Sequence, residues 1–134
     1  MSSMRYKRKT VLARSYTDLK VYQLAFESAM MIFEISKNWP KVERYSLTDQ
    51  IRRSSRSVCG NIAEAWRKRR YPAHFVSKLS DSDSETAETE VWLAFASKCN
   101  YLNDHNYDQL MDSYDHIGRM LTIMMSNPNK WKLN

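Results

Sequence analysis

An all-α fold, an up-down-up-down antiparallel four-helix bundle, is predicted by three observations on this chain. It has only two glycines and three prolines in 134 residues, too few turn formers for a turn-rich β protein. Glu, Lys, Arg, Leu, Ala and Met, all strong helix formers, are abundant. Apolar residues recur at spacings of three and four along four stretches with short breaks between them, and short connections force neighbouring helices to run antiparallel. A chain of this length suffices for one domain with a buried core and no covalent staples.

Each element has its own justification. Residues 1–14 are polar and basic with little periodicity and are expected to form a flexible arm. The bundle spans residues 15–127. Its first helix begins near Ser15 and carries Tyr22, Phe26, Ala29 and Phe33, flanked by Ala25 and Ile32, on one apolar face. It stops near Asn38, because Pro40 disfavours helix in the residue before it. Ser46 followed by Asp49 reads as a capping pair for the second helix, Leu47 to Arg70. That helix sets Ile51, Ser55, Val58, Ile62 and Ala65 along one face, with Arg52, Arg53 and Arg56 mostly off it.

Tyr71-Pro72 breaks the chain, and Pro72 suits the first position of a third helix running to about Leu102. Phe75, Leu79, Leu93 and Ala96 anchor its two ends, but Ser82, Thr86 and Thr89 occupy the same stripe between them. Such groups are tolerable in a core only when paired, so the second helix and the Ser82 to Glu90 stretch are expected to face each other or another subunit. Asn103 caps a fourth helix whose Tyr107, Leu110, Tyr114, Ile117, Leu121 and Met124 or Met125 follow a coiled-coil spacing. Asn127-Pro128 ends it, and residues 128–134 form a short tail. Gly60 and Gly118 fall inside helices, where they are expected to allow close helix contact.

Charge is strongly segregated. The second helix carries Arg52, Arg53, Arg56, Arg67, Lys68, Arg69 and Arg70 against Asp49 and Glu64, and the arm adds Arg5, Lys7, Arg8, Lys9 and Arg14 with no acid before Asp18. The formal net charge is +6, so the remainder is acidic, chiefly through Asp81, Asp83, Glu85, Glu88 and Glu90. A concentrated basic surface attracts polyanions, and arginine forks bidentately onto phosphate. Tyr45, Trp66, Tyr71 and Tyr6 lie among these cations as candidates for stacking on unpaired bases. A solvated helix face, or one that forms salt bridges to the acidic third helix of another subunit, accounts for the same pattern without nucleic acid.

Catalytic constellations are hard to find. A carboxylate-bridged metal pair in a bundle uses Glu-x-x-His, yet the residues three before His74, His105 and His116 are Tyr71, Leu102 and Ser113. No metal, no cofactor and no catalytic residue is therefore expected, and the reading is non-enzymatic. Glycine loops for phosphate are excluded by the glycine count. Cys59 and Cys99 form no redox or metal spacing and are expected to be reduced, inert core thiols. Asn61 and Glu64 are assigned structural roles, with Glu64 bonded to Asn61 or to the polar middle of the third helix. No apolar run spans a membrane and none resembles a secretory signal, so the expected compartment is the cytoplasm.

The motif Leu47-Thr48, Gln50, Arg52-Arg53, Ser57-Val58 and Asn61-Ile62-Ala63-Glu64 resembles the four-helix-bundle proteins encoded in intervening sequences of bacterial large-subunit ribosomal RNA genes, also called S23-type. Asp18-Leu19, Val21-Tyr22, Ala25, Pro40, Tyr45, Phe75, Ala87-Glu88, Glu90 and Tyr101-Leu102 support the resemblance, which covers about Tyr16 to Met125. Cys59, Gly60 and Ala65 depart from the family pattern, as do Ser82, Asp83 and Glu85. The resemblance implies a ring-like homo-oligomer, a pentamer, and a link to accessory proteins of the reverse transcriptase of diversity-generating retroelements. The expectation is a bundle that binds nucleic acid, RNA before DNA, through Arg52, Arg53, Arg56, Arg67, Lys68, Arg69 and Arg70. Its rival is a protein-interaction scaffold or reverse transcriptase accessory subunit.

Overall fold

The computed structural model describes residues 13–132, so most of the basic arm and the last two residues of the tail lie outside the described residues. Four α-helices follow in order: α1 (Lys20–Ser36), α2 (Leu47–Arg67), α3 (Pro72–Lys98) and α4 (Asp104–Ser126). Three short 3-10 turns precede α1, join α1 to α2 and follow α4. No strand occurs among the described residues. Each helix packs on its neighbours in sequence, and α1 closes the ring against α4. The result is an up-down-up-down bundle.

Local chemistry sets the boundaries. Ser15 and Asp18 form a capping box around the first turn, with Thr17 N–H donating to Ser15 Oγ and Ser15 N–H to Asp18 Oδ2. Pro72 occupies the start of α3, where its missing N–H costs nothing. Asn103 Oδ1 accepts from the Asn106 N–H at 2.8 Å and caps α4. After α3, Asn100 adopts a left-handed φ of 61°, while Tyr101 N–H donates to the Ala96 carbonyl and Asn100 N–H to that of Ser97. This pattern closes the last orphan carbonyls and ends α3 at Lys98, earlier than the expected Leu102.

The cap of α2 differs from the expected Ser46–Asp49 pair. Ser46 Oγ donates to Glu43 Oε1 at 2.7 Å, and the same carboxylate oxygen accepts the Leu47 N–H. Glu43 Oε2 accepts from the Tyr101 hydroxyl at 2.9 Å, which ties the first loop to the α3–α4 turn. These bonds, Ser46 first, hold the Glu43 carboxyl below the ordinary carboxylate range. A carboxylate does the serine's work here because it reaches two donors and the loop at once. The helix ends at Arg67, so Lys68, Arg69 and Arg70 lie in the turn leading to α3.

The core is a contiguous apolar cluster from all four helices. In α2 the buried set contains Ile51, Ser55, Val58, Ile62 and Ala65, as the periodicity implies. In α4 it is Leu110, Tyr114, Ile117, Leu121 and Met124. The α1 face is rotated from the expected one. Val21, Ala25, Ser28, Ala29 and Ile32 point inward, Tyr22 and Phe33 are half-buried, and Phe26 is 50% exposed. Small residues admit close helix approach, which leaves the bulky aromatics at the margin of the contact.

The polar stripe of α3 is buried and bonded, largely against α2. Ser82 Oγ donates to the Val58 carbonyl at 2.9 Å, and Thr89 Oγ1 lies 2.8 Å from both Ser54 Oγ and the Glu85 carbonyl. Thr86 Oγ1 donates back to the Ser82 carbonyl. Every hydroxyl of this seam therefore has a partner, and the two helices hold one register through it.

Two further expectations need correction. Cys59 is buried, but Cys99 is exposed, because the α3 helix ends there and the chain turns into solvent. The glycines do not mediate close helix contact within the chain. A Cβ at Gly60 would meet nothing within 4 Å, and one at Gly118 would meet only Asp83 Oδ1 at an ordinary 3.7 Å. Gly60 thus carries a helix-propensity cost of about 1 kcal/mol that no neighbour in the subunit requires.

Candidate nucleic-acid interface

The seven cations singled out from the sequence do not form one uniform set. None is in a salt bridge among the described residues. Arg52 is turned back onto α1: its Nε donates to Ser36 Oγ at 2.9 Å, and its guanidinium sits 4.8 Å from the Phe33 ring centroid. Arg69 folds over Trp66 at 3.7 Å and donates to the Trp66 carbonyl at 2.7 Å, and burial lowers its pKa. The first is a tertiary contact between α2 and α1 and the second a local one at the end of α2, and both use arginine's planar group.

The other five are exposed. Arg53, Arg56 and Arg67 project from the outer side of α2, while Lys68 and Arg70 continue the charge into the following turn. At 1.5 Å per residue, Arg53 and Arg67 stand about 21 Å apart along the helix. Gly60 lies between Arg56 and Arg67 on the same side, so the helix backbone there is bare. Arg56 also approaches the Phe33 ring, at 5.6 Å. Of the arm's cations, only Arg14 is described, and its backbone N–H donates to Asp18 Oδ2. Arg5, Lys7, Arg8 and Lys9 lie outside the described residues.

The stacking candidates are also rearranged. Trp66 is 7% exposed and covered by Arg69, which removes it from that role. Tyr45 is 87% exposed and Tyr71 58%, and Tyr6 lies outside the described residues. Sequence reasoning missed the aromatic run of α1. Tyr16 and Tyr22 meet edge to face at 4.9 Å, Tyr22 and Phe26 stack at 6.0 Å, and Phe33 lies further along under Arg52, Arg56 and Lys37. The signal was present as the spacing Tyr22, Phe26, Phe33, but the same spacing marks a core face.

Asn61 and Glu64 have structural partners, though not each other. Asn61 Nδ2 donates to the Ser57 carbonyl at 3.0 Å. Glu64 pairs at 2.8 Å with Lys78 of α3, a contact that raises the lysine pKa. Glu64 therefore reaches α3 one turn before the Ser82 to Glu90 stretch. Cys59, beside the basic face, is pushed up to about 11 by burial and stays a thiol.

On the opposite side of the bundle an open groove of about 540 Å³ runs between α3 and α4. Asp83, Glu90 and Asp115 line it together with Arg119, which pairs with Asp115 at 2.9 Å. Burial, then the nearby Asp115 and Asp83, raise the Glu90 pKa. No group of three or more His, Cys, Asp and Glu is placed to hold a metal ion among the described residues. No helix among them is long and apolar enough to cross a membrane.

Similarity to known proteins bears on the family and the fold. A family model described as the 23S rRNA-intervening sequence protein matches residues 17–123. The chain is also similar to a crystal structure of a protein with unknown function from the S23 ribosomal protein family of Bacteroides thetaiotaomicron VPI-5482. That match has 26% identity and a TM-score of 0.71, and covers 79% of this chain and 95% of the other. No curated protein matches the chain.

Proposed function

Since the chain belongs to the 23S rRNA-intervening sequence protein family, we propose that it is a non-enzymatic nucleic-acid-binding bundle that takes RNA before DNA. It acts as a homo-oligomer, a pentamer, so that several copies of one modest phosphate-binding face act together. The observation that carries the reading is the set of five exposed cations, Arg53, Arg56, Arg67, Lys68 and Arg70, none of which pairs with a carboxylate among the described residues. Arg52 and Arg69 support the face from behind instead of gripping phosphate.

Binding of the purified protein to a structured RNA and to duplex DNA across a salt series tests this. Log K should fall steeply with log salt, by about 0.9 per neutralised phosphate on the duplex. Absence of binding at low salt would overturn the reading. Sedimentation at micromolar protein tests the assembly, which a monomer would refute.

A second reading is favoured by the groove of Asp83, Glu90 and Asp115. In a protein-interaction scaffold the basic face of α2 meets such an acidic surface on a second copy, or on a partner such as a retroelement reverse transcriptase. Charge reversal on α2 would then break the assembly before it affected RNA.

A further inference from the structure

The basic face of α2 and the aromatic run of α1 are two walls of one surface. Phe33 is held by Arg52 and Arg56, and Ser36, one turn further along α1, accepts from Arg52 Nε at 2.9 Å. Because α1 and α2 run antiparallel, these two contacts fix the register between them. Phe26, one turn beyond Tyr22 and two turns before Phe33, falls level with the α2 turn that carries Arg56 to Gly60. Its neighbours differ in what they offer a ligand. Phe33 is already covered by three cations, while Phe26 rests on Tyr22 and is 50% exposed.

Resting on the nucleic-acid reading above, we propose that this α1–α2 surface takes unpaired bases of single-stranded RNA. Phe26 is the stacking platform, and Arg56 and Arg67 hold the flanking phosphates. Three features of the surface converge on that ligand. An exposed aromatic ring beside unpaired arginines offers both halves of what a nucleotide presents, a π-face and a phosphate. Gly60 leaves the turn after Arg56 without a side chain, so a strand can approach the helix backbone closely there, on the Arg56 side of Glu64. A duplex keeps its base faces stacked inside and meets only the cations, so the aromatic wall distinguishes unpaired from paired RNA.

The test compares an oligouridylate with a duplex RNA of matched length, using wild-type protein, Phe26→Ala and Phe26→Tyr. Phe26 is half-exposed, so neither change removes a core residue. Phe26→Ala should weaken oligouridylate binding by about fivefold to a hundredfold and leave duplex binding unchanged, and Phe26→Tyr should restore the oligouridylate affinity. Equal loss on both RNAs, or no loss on either, overturns the stacking assignment while leaving phosphate binding intact. A Phe26→Ala protein that sediments as a smaller species also overturns it, because the ring then belongs to a contact between copies. If wild-type protein binds neither RNA, the nucleic-acid reading itself fails.

Discussion

Two faces of the same helix dispose of their polarity in opposite ways. Toward α3, α2 presents Ser54 and the Val58 carbonyl, and each meets a hydroxyl of Ser82 or Thr89 at hydrogen-bond distance. Toward solvent it presents Arg53, Arg56 and Arg67, with no ion pair. Burial explains the difference: an unpaired polar group in the interior costs about 1–3 kcal/mol, whereas water satisfies an exposed guanidinium. The inner face therefore reports on folding, and the outer face is free to report on a ligand. Substitutions that keep these two readouts separate would sharpen the contrast, and any that mix them would break it.

The largest effect is expected at the inner face. Ile62→Ala removes a fully buried side chain and should lower the unfolding free energy by about 2–5 kcal/mol in a urea titration. Nucleic-acid affinity of the folded fraction should stay unchanged. Thr89→Val deletes a hydroxyl with two close acceptors and should cost about 1 kcal/mol. Tyr114→Phe is its control. The Tyr114 hydroxyl is buried without a partner, so its removal should leave stability equal or higher, and a loss like that of Thr89→Val would contradict the assignment.

The arginines should divide in the same way. Arg52→Ala loses the bond to Ser36 and the packing on Phe33, for about 1 kcal/mol of stability, while Arg53→Ala should stay within about 0.5 kcal/mol of wild type. Equal effects in thermal melts would erase the distinction between supporting and exposed cations.

The smallest effect belongs to the acidic groove. The Glu90 pKa is raised, so the folded state favours the protonated form and loses stability as pH rises through that pKa. Glu90→Gln should therefore raise the melting temperature slightly at neutral pH. The gain should vanish below the ordinary carboxylate range, where the wild-type side chain is neutral in both states.

Much of this architecture is legible in the sequence because burial and periodicity agree along α2, α3 and α4. Pro72 and Asn103 act within one turn of themselves, so their capping roles need no tertiary information. What escapes the sequence depends on partners far along the chain. Glu43 replaces Ser46 as the cap because Tyr101 completes its bonds. The α1 face rotates because its neighbours accept Ala25 and Ala29 more closely than Phe26. Seven cations look equivalent in the sequence, yet a Ser36 hydroxyl on another helix draws Arg52 inward, while Arg69 folds locally onto Trp66. Trp66 loses its place as a stacking candidate by burial, while Tyr45 and Tyr71 stay exposed and α1 adds the half-exposed Phe26.

The central claim is that the outer face of α2 grips phosphate. Its most direct test is the combined Arg53, Arg56 and Arg67→Glu variant, which leaves Arg52 and Arg69 in their structural contacts, measured against a structured RNA across a salt series. With circular dichroism and sedimentation unchanged, affinity should collapse, and any residual log K against log salt slope should flatten by roughly two to three. Wild-type affinity and slope in that folded, assembled variant would contradict the claim and place the phosphate contacts elsewhere on the chain.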